Sequence, residues 1–156
     1  MRLPPPSPEA AACSRELVAA IRRDISNQGG WISFARFMEM ALYEPGLGYY
    51  SAGARKFGAA GDFVTAPEMS GFFGRALAHQ VAEVIAVSSP AILEVGAGSG
   101  RLAADLLLEL EGLGVLPDRY DILDLSGDLR ERQRATLAAA APHLLPRVRW
   151  LDSLPE

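Results

Sequence analysis

Glu94, Gly96, Gly98 and Gly100 lie within the stretch AILEVGAGSGRLAADL, residues 91–106. An acid stands two residues ahead of a G-x-G-x-G run, which is entered from an apolar segment and left through a helical pattern. Such a loop suits a nucleotide-like ligand. Glycines without a Cβ let the backbone approach a bound group closely. The helix that follows offers free amides and the positive end of its dipole to an anionic group. A phosphate-binding P-loop needs G-x-x-x-x-G-K-[ST], and no lysine follows these glycines. The dinucleotide fingerprint G-x-G-x-x-G would place its third glycine at position 101, which is Arg. A plain glycine turn at a strand-to-helix junction competes for Gly96 and Gly98 taken alone; the longer pattern is more specific.

Two further acids end apolar runs downstream. Asp124 in YDILDLS lies where nucleotide-binding folds put an acid on the ribose hydroxyls. Its competing reading is a turn or helix-capping aspartate, a role for which Ser126 is a rival. Asp152 in VRWLDSL ends a third run; a turn aspartate is an equal reading there.

These residues need elements to position them. The pattern predicts a strand over 91–95, a helix over 101–111, a strand over 120–125, a helix over about 128–140 and a strand over 148–151. This βαβαβ order implies parallel strands with right-handed crossovers. Ahead of it, residues 1–13 read as a flexible tail. A helix is expected from Ser14 to about Gln28, with Leu17, Val18, Ile21 and Ile25 at helical spacing. Another should follow Ser33, with Phe34, Phe37, Met38, Ala41 and Leu42 on one face. A third is expected over about 67–86, with an apolar stripe of Met69, Phe72, Phe73, Ala76, Leu77, Val81, Val84 and Ile85. The domain division expected is a tail (1–13), a helical extension with a Gly- and aromatic-rich lid segment (14–89), and a Rossmann-like unit (90–156).

Composition narrows the function classes. Hydrophobic residues make up 49% and charged residues 22% of the 156, which supports a packed core. The net charge of −4, without a basic face, argues against nucleic acid as a partner. Cys13 is the single cysteine, and His79 and His143 are far apart, so neither a disulfide nor a metal site is expected. No membrane span or secretory signal is expected, and a cytoplasmic protein is the default.

The stretch ILEVGAGSG resembles the first motif of class I S-adenosylmethionine-dependent methyltransferases. The segment YEPGLGYYSAGARKFGAAGDFVTAPEMSGFFGRALA, with ISFARFMEMALYEPGLGYY overlapping its start, resembles the MidA-type family of these enzymes. That family includes the mitochondrial complex I assembly factor that methylates arginine in a partner subunit. The resemblance runs from about Ile32 to the C-terminus. It implies an α/β, Rossmann-like class I methyltransferase sheet, incomplete here, with an N-terminal helical extension.

It also implies S-adenosyl-L-methionine as cofactor and an arginine-containing protein, such as a respiratory complex I subunit, as partner. The matrix is the compartment of eukaryotic relatives. Cofactor contacts would come from Glu94, Gly96, Ala97, Gly98, Gly100, Asp124, Leu125 and Ser126, with Asp152 on the adenine amine. Gly61, Asp62, Phe63, Thr65, Pro67 and Glu68 would border the cofactor and substrate cleft. Asp62 and Glu68 fit either a cationic acceptor or the start of the helix near Pro67. No catalytic base is assigned.

The chain departs from the family at Ser70-Gly71 and Ser126-Gly127, where Ser-Pro is usual, and at Asp124, where Glu is common. Glycine should loosen both helix starts, and Asp shortens the reach to ribose. Only three of seven strands are visible, so the chain reads as the N-terminal half of such an enzyme, with the edge of its first strand exposed. The competing functions are a non-catalytic cofactor-binding or assembly module and a nicotinamide-dependent oxidoreductase.

Overall fold

The computed structural model describes residues 5–52 and 64–155. The chain divides into two units, residues 1–54 and 55–156. The sequence pattern drew this line at residue 90.

The first unit is a helical pair, α1 (Pro8–Asn27) and α2 (Phe34–Tyr43). Helix α1 is capped at Ser7 rather than at Ser14, seven residues earlier than expected, which corrects the expected tail over 1–13. Ser7 is its N-cap and accepts a hydrogen bond from the Ala10 amide at 3.2 Å. Pro8 follows at the first helical position, where its fixed φ suits the helix and its missing N–H costs nothing. Ser33 caps α2 as its spacing predicts, accepting from the Arg36 amide at 3.1 Å. Arg36 then ties the two helices together, its Nε donating to Asp24 Oδ2 at 3.0 Å. Phe34 and Phe37 are exposed and stack on each other, and the buried residue of α2 is Met40, which is not on the expected apolar face. The segment after α2 begins pinned to this helix: the Tyr49 and Tyr50 amides donate to the Ala41 and Leu42 carbonyls. The Tyr50 ring packs on both Tyr43 and Tyr49.

The second unit contains α3 (Ala66–Met69), α4 (Phe72–Ile85), β1 (Ala91–Val95), α5 (Arg101–Gly112), β2 (Arg119–Leu123), α6 (Gly127–Ala140) and β3 (Val148–Leu151). A 3-10 turn over Pro142–Arg147 precedes β3 and was not anticipated. The strands form a parallel sheet in the order β1-β2-β3, with Val95, Leu123 and Leu151 in register. Strand periodicity of two puts Ile92, Glu94, Tyr120, Ile122, Val148 and Trp150 on one face. That face meets Ala78 of α4, Ala103, Leu106, Leu107 and Leu110 of α5, and Leu137 of α6 in one core. The other face carries Leu93, Val95, Arg119, Asp121 and Arg149. Here Asp121 is gripped by Arg149 (2.8 and 3.0 Å) and Arg119 (3.1 Å), which hold its carboxyl below the usual carboxylate range. Leu93 and Val95 are exposed, and β1 has no second partner among the described residues.

The single helix expected over 67–86 is broken. Ser70 is extended (φ −165°, ψ 155°) and separates α3 from α4. The expected apolar stripe also divides. Leu77 and Val81 pack on the core, while Met69, Phe72, Phe73 and Val84 are exposed. Helix α4 meets α5 through its smallest residues, Gly74 and Ala78, both buried. A Cβ on Gly74 would stand 2.6 Å from that of Asp105, so these helices approach more closely than side chains allow.

Leu107→Ala, which empties a fully buried position on α5, is expected to lower unfolding free energy by about 2–5 kcal/mol in urea titrations. Leu108→Ala, at the half-exposed neighbouring position, should cost far less. Equal losses would show that α5 does not face the core as described.

Candidate functional site

The loop from β1 to α5 is built by three left-handed glycines. Gly96, Gly98 and Gly100 have φ of 72°, 55° and 81°. Residues with a Cβ are strained in this region, so the three positions favour glycine on backbone grounds alone. Gly100 is constrained twice, because a Cβ there would lie 2.9 Å from Gln133 Cα. The Gly96 amide donates to the Leu123 carbonyl at 2.8 Å, carrying the β1–β2 ladder into the loop. Gly100 is also the N-cap of α5 and has no side chain to close its first turn. The Ser99 hydroxyl reaches the Arg101 amide at 3.3 Å.

These residues open onto a cleft of about 330 Å³. Its walls are Thr65, Pro67 and Glu68 on one side and Glu94 to Ser99, Arg101 and Leu102 on the other. Glu68 is joined to the glycine loop by a hydrogen bond from the Ser99 hydroxyl. A larger hollow of about 510 Å³ is lined by α1 residues alone. One helix face cannot surround a ligand as a cleft does, so the glycine loop remains the candidate site.

Glu94 sits at the floor. Burial pushes its carboxyl up from the ordinary value, and the nearby Asp124 charge adds to that. The Tyr120 hydroxyl opposes it, donating to Glu94 Oε2 at 2.8 Å. Tyr120 is itself buried beside this acid, which holds its hydroxyl protonated far above the usual tyrosine range.

Asp124 follows the end of β2 and is buried. Its Oδ1 accepts from the Ser126 amide at 3.0 Å, and its Oδ2 accepts from Gln133 Nε2 at 2.8 Å. Capping of α6 belongs to Ser126, whose hydroxyl accepts from the Leu129 amide at 3.2 Å. Arg130 gathers the strand ends: its Nε donates to the Asp124 carbonyl at 2.7 Å, and its guanidinium also reaches the Leu151 carbonyl and Asp152 Oδ1.

The structure therefore brings Glu94, Gly96, Ala97, Gly98, Thr65, Pro67 and Glu68 to one cleft. Asp124 lies behind Gly98, linked to it through Gln133, whose Nε2 also donates to the Gly98 carbonyl at 3.2 Å. Leu125 and Asp152 are exposed and do not line the cleft. Gly61, Asp62 and Phe63 lie outside the described residues.

Sequence reasoning missed Ser99, Arg101 and Leu102 on the cleft wall, and Tyr120 and Gln133 behind it. For Gln133 a signal existed: Leu129, Gln133 and Leu137 form the buried stripe of α6, with one amide where an apolar residue belongs. Among the described residues no cluster of metal ligands occurs, and no helix is long and apolar enough to cross a membrane.

A family model for S-adenosyl-L-methionine-dependent methyltransferases matches residues 74–156. The chain belongs to that family. The methyltransferase match covers the glycine loop, both strand-end acids and the buried stripe of α6. A crystal structure from Burkholderia thailandensis, bound to S-adenosyl-homocysteine, is 54% identical with a TM-score of 0.87. It covers 99% of this chain, and this chain covers 41% of it. Among curated relatives, the mitochondrial protein arginine methyltransferase NDUFAF7 of Bos taurus is 36% identical over 116 residues. That alignment takes in 69% of this chain and 26% of the relative. The enzyme of the same name from Mus musculus is 38% identical over 117 residues, 70% of this chain and 27% of its own. The chain thus spans about a quarter of the length of these curated relatives. The fold is the Rossmann-like one expected, and the cofactor of the family is S-adenosyl-L-methionine.

The buried carboxyl sets a pH dependence. Folded Glu94 keeps its proton to higher pH than it does in the unfolded chain, so the folded form binds more protons across that interval. Stability should fall as pH rises from the ordinary glutamate range to the raised value. Urea midpoints collected between pH 4 and 8 should show this slope, and Glu94→Gln should flatten it. An identical profile in the variant would remove Glu94 as its source.

Proposed function

We propose that this chain supplies the S-adenosyl-L-methionine site of a methyltransferase acting on protein arginine. The observation that carries the reading is the left-handed glycine loop with Glu94 before it and Asp124 at the neighbouring strand end. The donor set fits the cofactor. The uncapped first turn of α5 offers amides to its carboxylate. The Glu94 carboxylate pairs with its ammonium group, and Asp124 retains acceptor capacity for ribose hydroxyls beyond its two hydrogen bonds. Ala97, Leu125 and Ser126 flank that path, and Asp152 takes the adenine amine. Thr65, Pro67 and Glu68 wall the cleft, and the proposal extends their role to Gly61, Asp62 and Phe63 in the same segment.

When bound, the cofactor supplies a sulfonium-activated methyl group for in-line transfer to a nitrogen nucleophile. The chain's own residues orient it and shield it from water, the two contributions such a transfer chiefly needs. Arginine as acceptor is supported by the relatives, which are named protein arginine methyltransferases. The sequence resemblance extends the proposal to a respiratory complex I subunit as partner. A cytoplasmic location is the accompanying proposal, although the curated relatives named here are mitochondrial. Binding of the cofactor without transfer is the second reading.

Calorimetric titration tests the site. S-adenosyl-homocysteine is expected to bind and NAD is not; the reverse would overturn the proposal. Affinity should rise as pH passes upward through the raised Glu94 value, because the ionised carboxylate is the form that pairs with the ammonium group. Glu94→Gln should weaken binding about tenfold or more, the scale of one lost charge-assisted hydrogen bond. Incubation with labelled cofactor and an arginine-rich protein then separates transfer from binding alone.

A further inference from the structure

Gln133 is fully buried, and every hydrogen-bonding function of its amide is directed at a different element of the site. Nε2 donates to Asp124 Oδ2 at 2.8 Å and to the Gly98 carbonyl at 3.2 Å. Oε1 accepts from the Trp150 indole Nε1 at 2.9 Å. The orientation of this amide is fixed by chemistry. An indole N–H only donates, so the oxygen must face Trp150; a carboxylate and a carbonyl only accept, so the nitrogen must face Asp124 and Gly98. Reversing the amide would break all three contacts. The Trp150 ring is in turn held by Arg134, whose guanidinium lies 4.4 Å from its centroid. Gln133 thereby connects the ends of all three strands: the loop after β1, the acid after β2 and the indole on β3.

We propose that Gln133 is a positioning residue for S-adenosyl-L-methionine, fixing the spacing between the glycine loop and Asp124 and orienting the carboxylate of Asp124 toward the ribose. The inference rests on the cofactor reading above. It assigns a role to a residue that touches no ligand and acts through two that do.

The test is S-adenosyl-homocysteine binding by calorimetry across pH 5.5–8.5, with melting temperatures recorded in parallel. Gln133→Leu keeps the volume and removes the amide. Its dissociation constant should rise about tenfold or more, since one buried acceptor pair and one buried donor lose their partner. Gln133→Glu is the more discriminating variant. One of its oxygens still accepts from Trp150, while the other faces two acceptors and fits only when protonated. Relative to the natural protein, whose Glu94 it keeps, its affinity should therefore be nearest at the acidic end and fall behind as pH rises. A purely structural role would lower melting temperature with a binding deficit that does not change with pH. Trp150→Phe, which deletes the indole donor and keeps an aromatic ring, should weaken binding several-fold, and it carries the test with the glutamate variant should the leucine variant not fold. Variants that bind as tightly as the natural protein, with its pH slope, overturn the inference and leave the cofactor reading standing. A natural protein that takes up no S-adenosyl-homocysteine overturns both.

Discussion

The glycine loop can turn into α5 only because nothing larger than hydrogen stands on Gly100 where α6 passes. A Cβ at that position would meet the Gln133 main chain at 2.9 Å, well inside van der Waals contact. This approach of loop to helix is the constraint on which the rest of the second unit depends. It brings the backbone of α6 close enough for a glutamine side chain to reach the Gly98 carbonyl. It lets the same side chain reach the acid after β2 and the indole of β3. A left-handed φ at Gly100 and a short side chain are therefore one requirement seen twice, once in the torsion and once in the packing.

Much of this frame was legible from sequence. The bounds of β1 and β3 follow directly from short, mainly apolar runs closed by glycine or aspartate. Ser33 and Ser126 announce α2 and α6, since a hydroxyl ahead of a helical pattern has few other uses. The failures have equally local causes. The proline-rich start suggested a tail, yet Ser7-Pro8 is a cap and first-turn pair that starts α1. The run through residues 67–86 has helical periodicity throughout, and periodicity does not register the extended Ser70 that breaks it. The apolar stripe of α4 packs only in part, at Leu77 and Val81, because the close contact with α5 is made by Gly74 and Ala78, the residues a hydrophobicity count weighs least.

The site itself was half legible. Glycines and strand-end acids advertise themselves by type and spacing. What fixes them does not, because the partners come from other elements: Tyr120 to Glu94, Gln133 to Asp124, Ser99 to Glu68. Pairings across 26, 9 and 31 residues are properties of the sheet order, of the α6 crossover and of the placement of α3 beside the loop. The same applies to Asp121, whose pairing with Arg149 is set by the register of β2 on β3, while Arg119 reaches it from two residues away on β2 itself.

Both crossover helices lie on one face of a parallel sheet, so α5 and α6 start at the same edge, immediately beyond Val95 and Leu123. Their dipoles add there and make the backbone at that edge electropositive. Glu94, Asp124 and Asp152 stand along the same edge with the opposite sign. The two fields are interleaved over a few residues rather than merged into one patch. Such an edge discriminates by charge pattern instead of net charge. It favours a zwitterion that presents its carboxylate to the helix starts and its cationic and hydroxyl groups to the acids. A polyanion of the same size would gain from the first field and be turned away by the second.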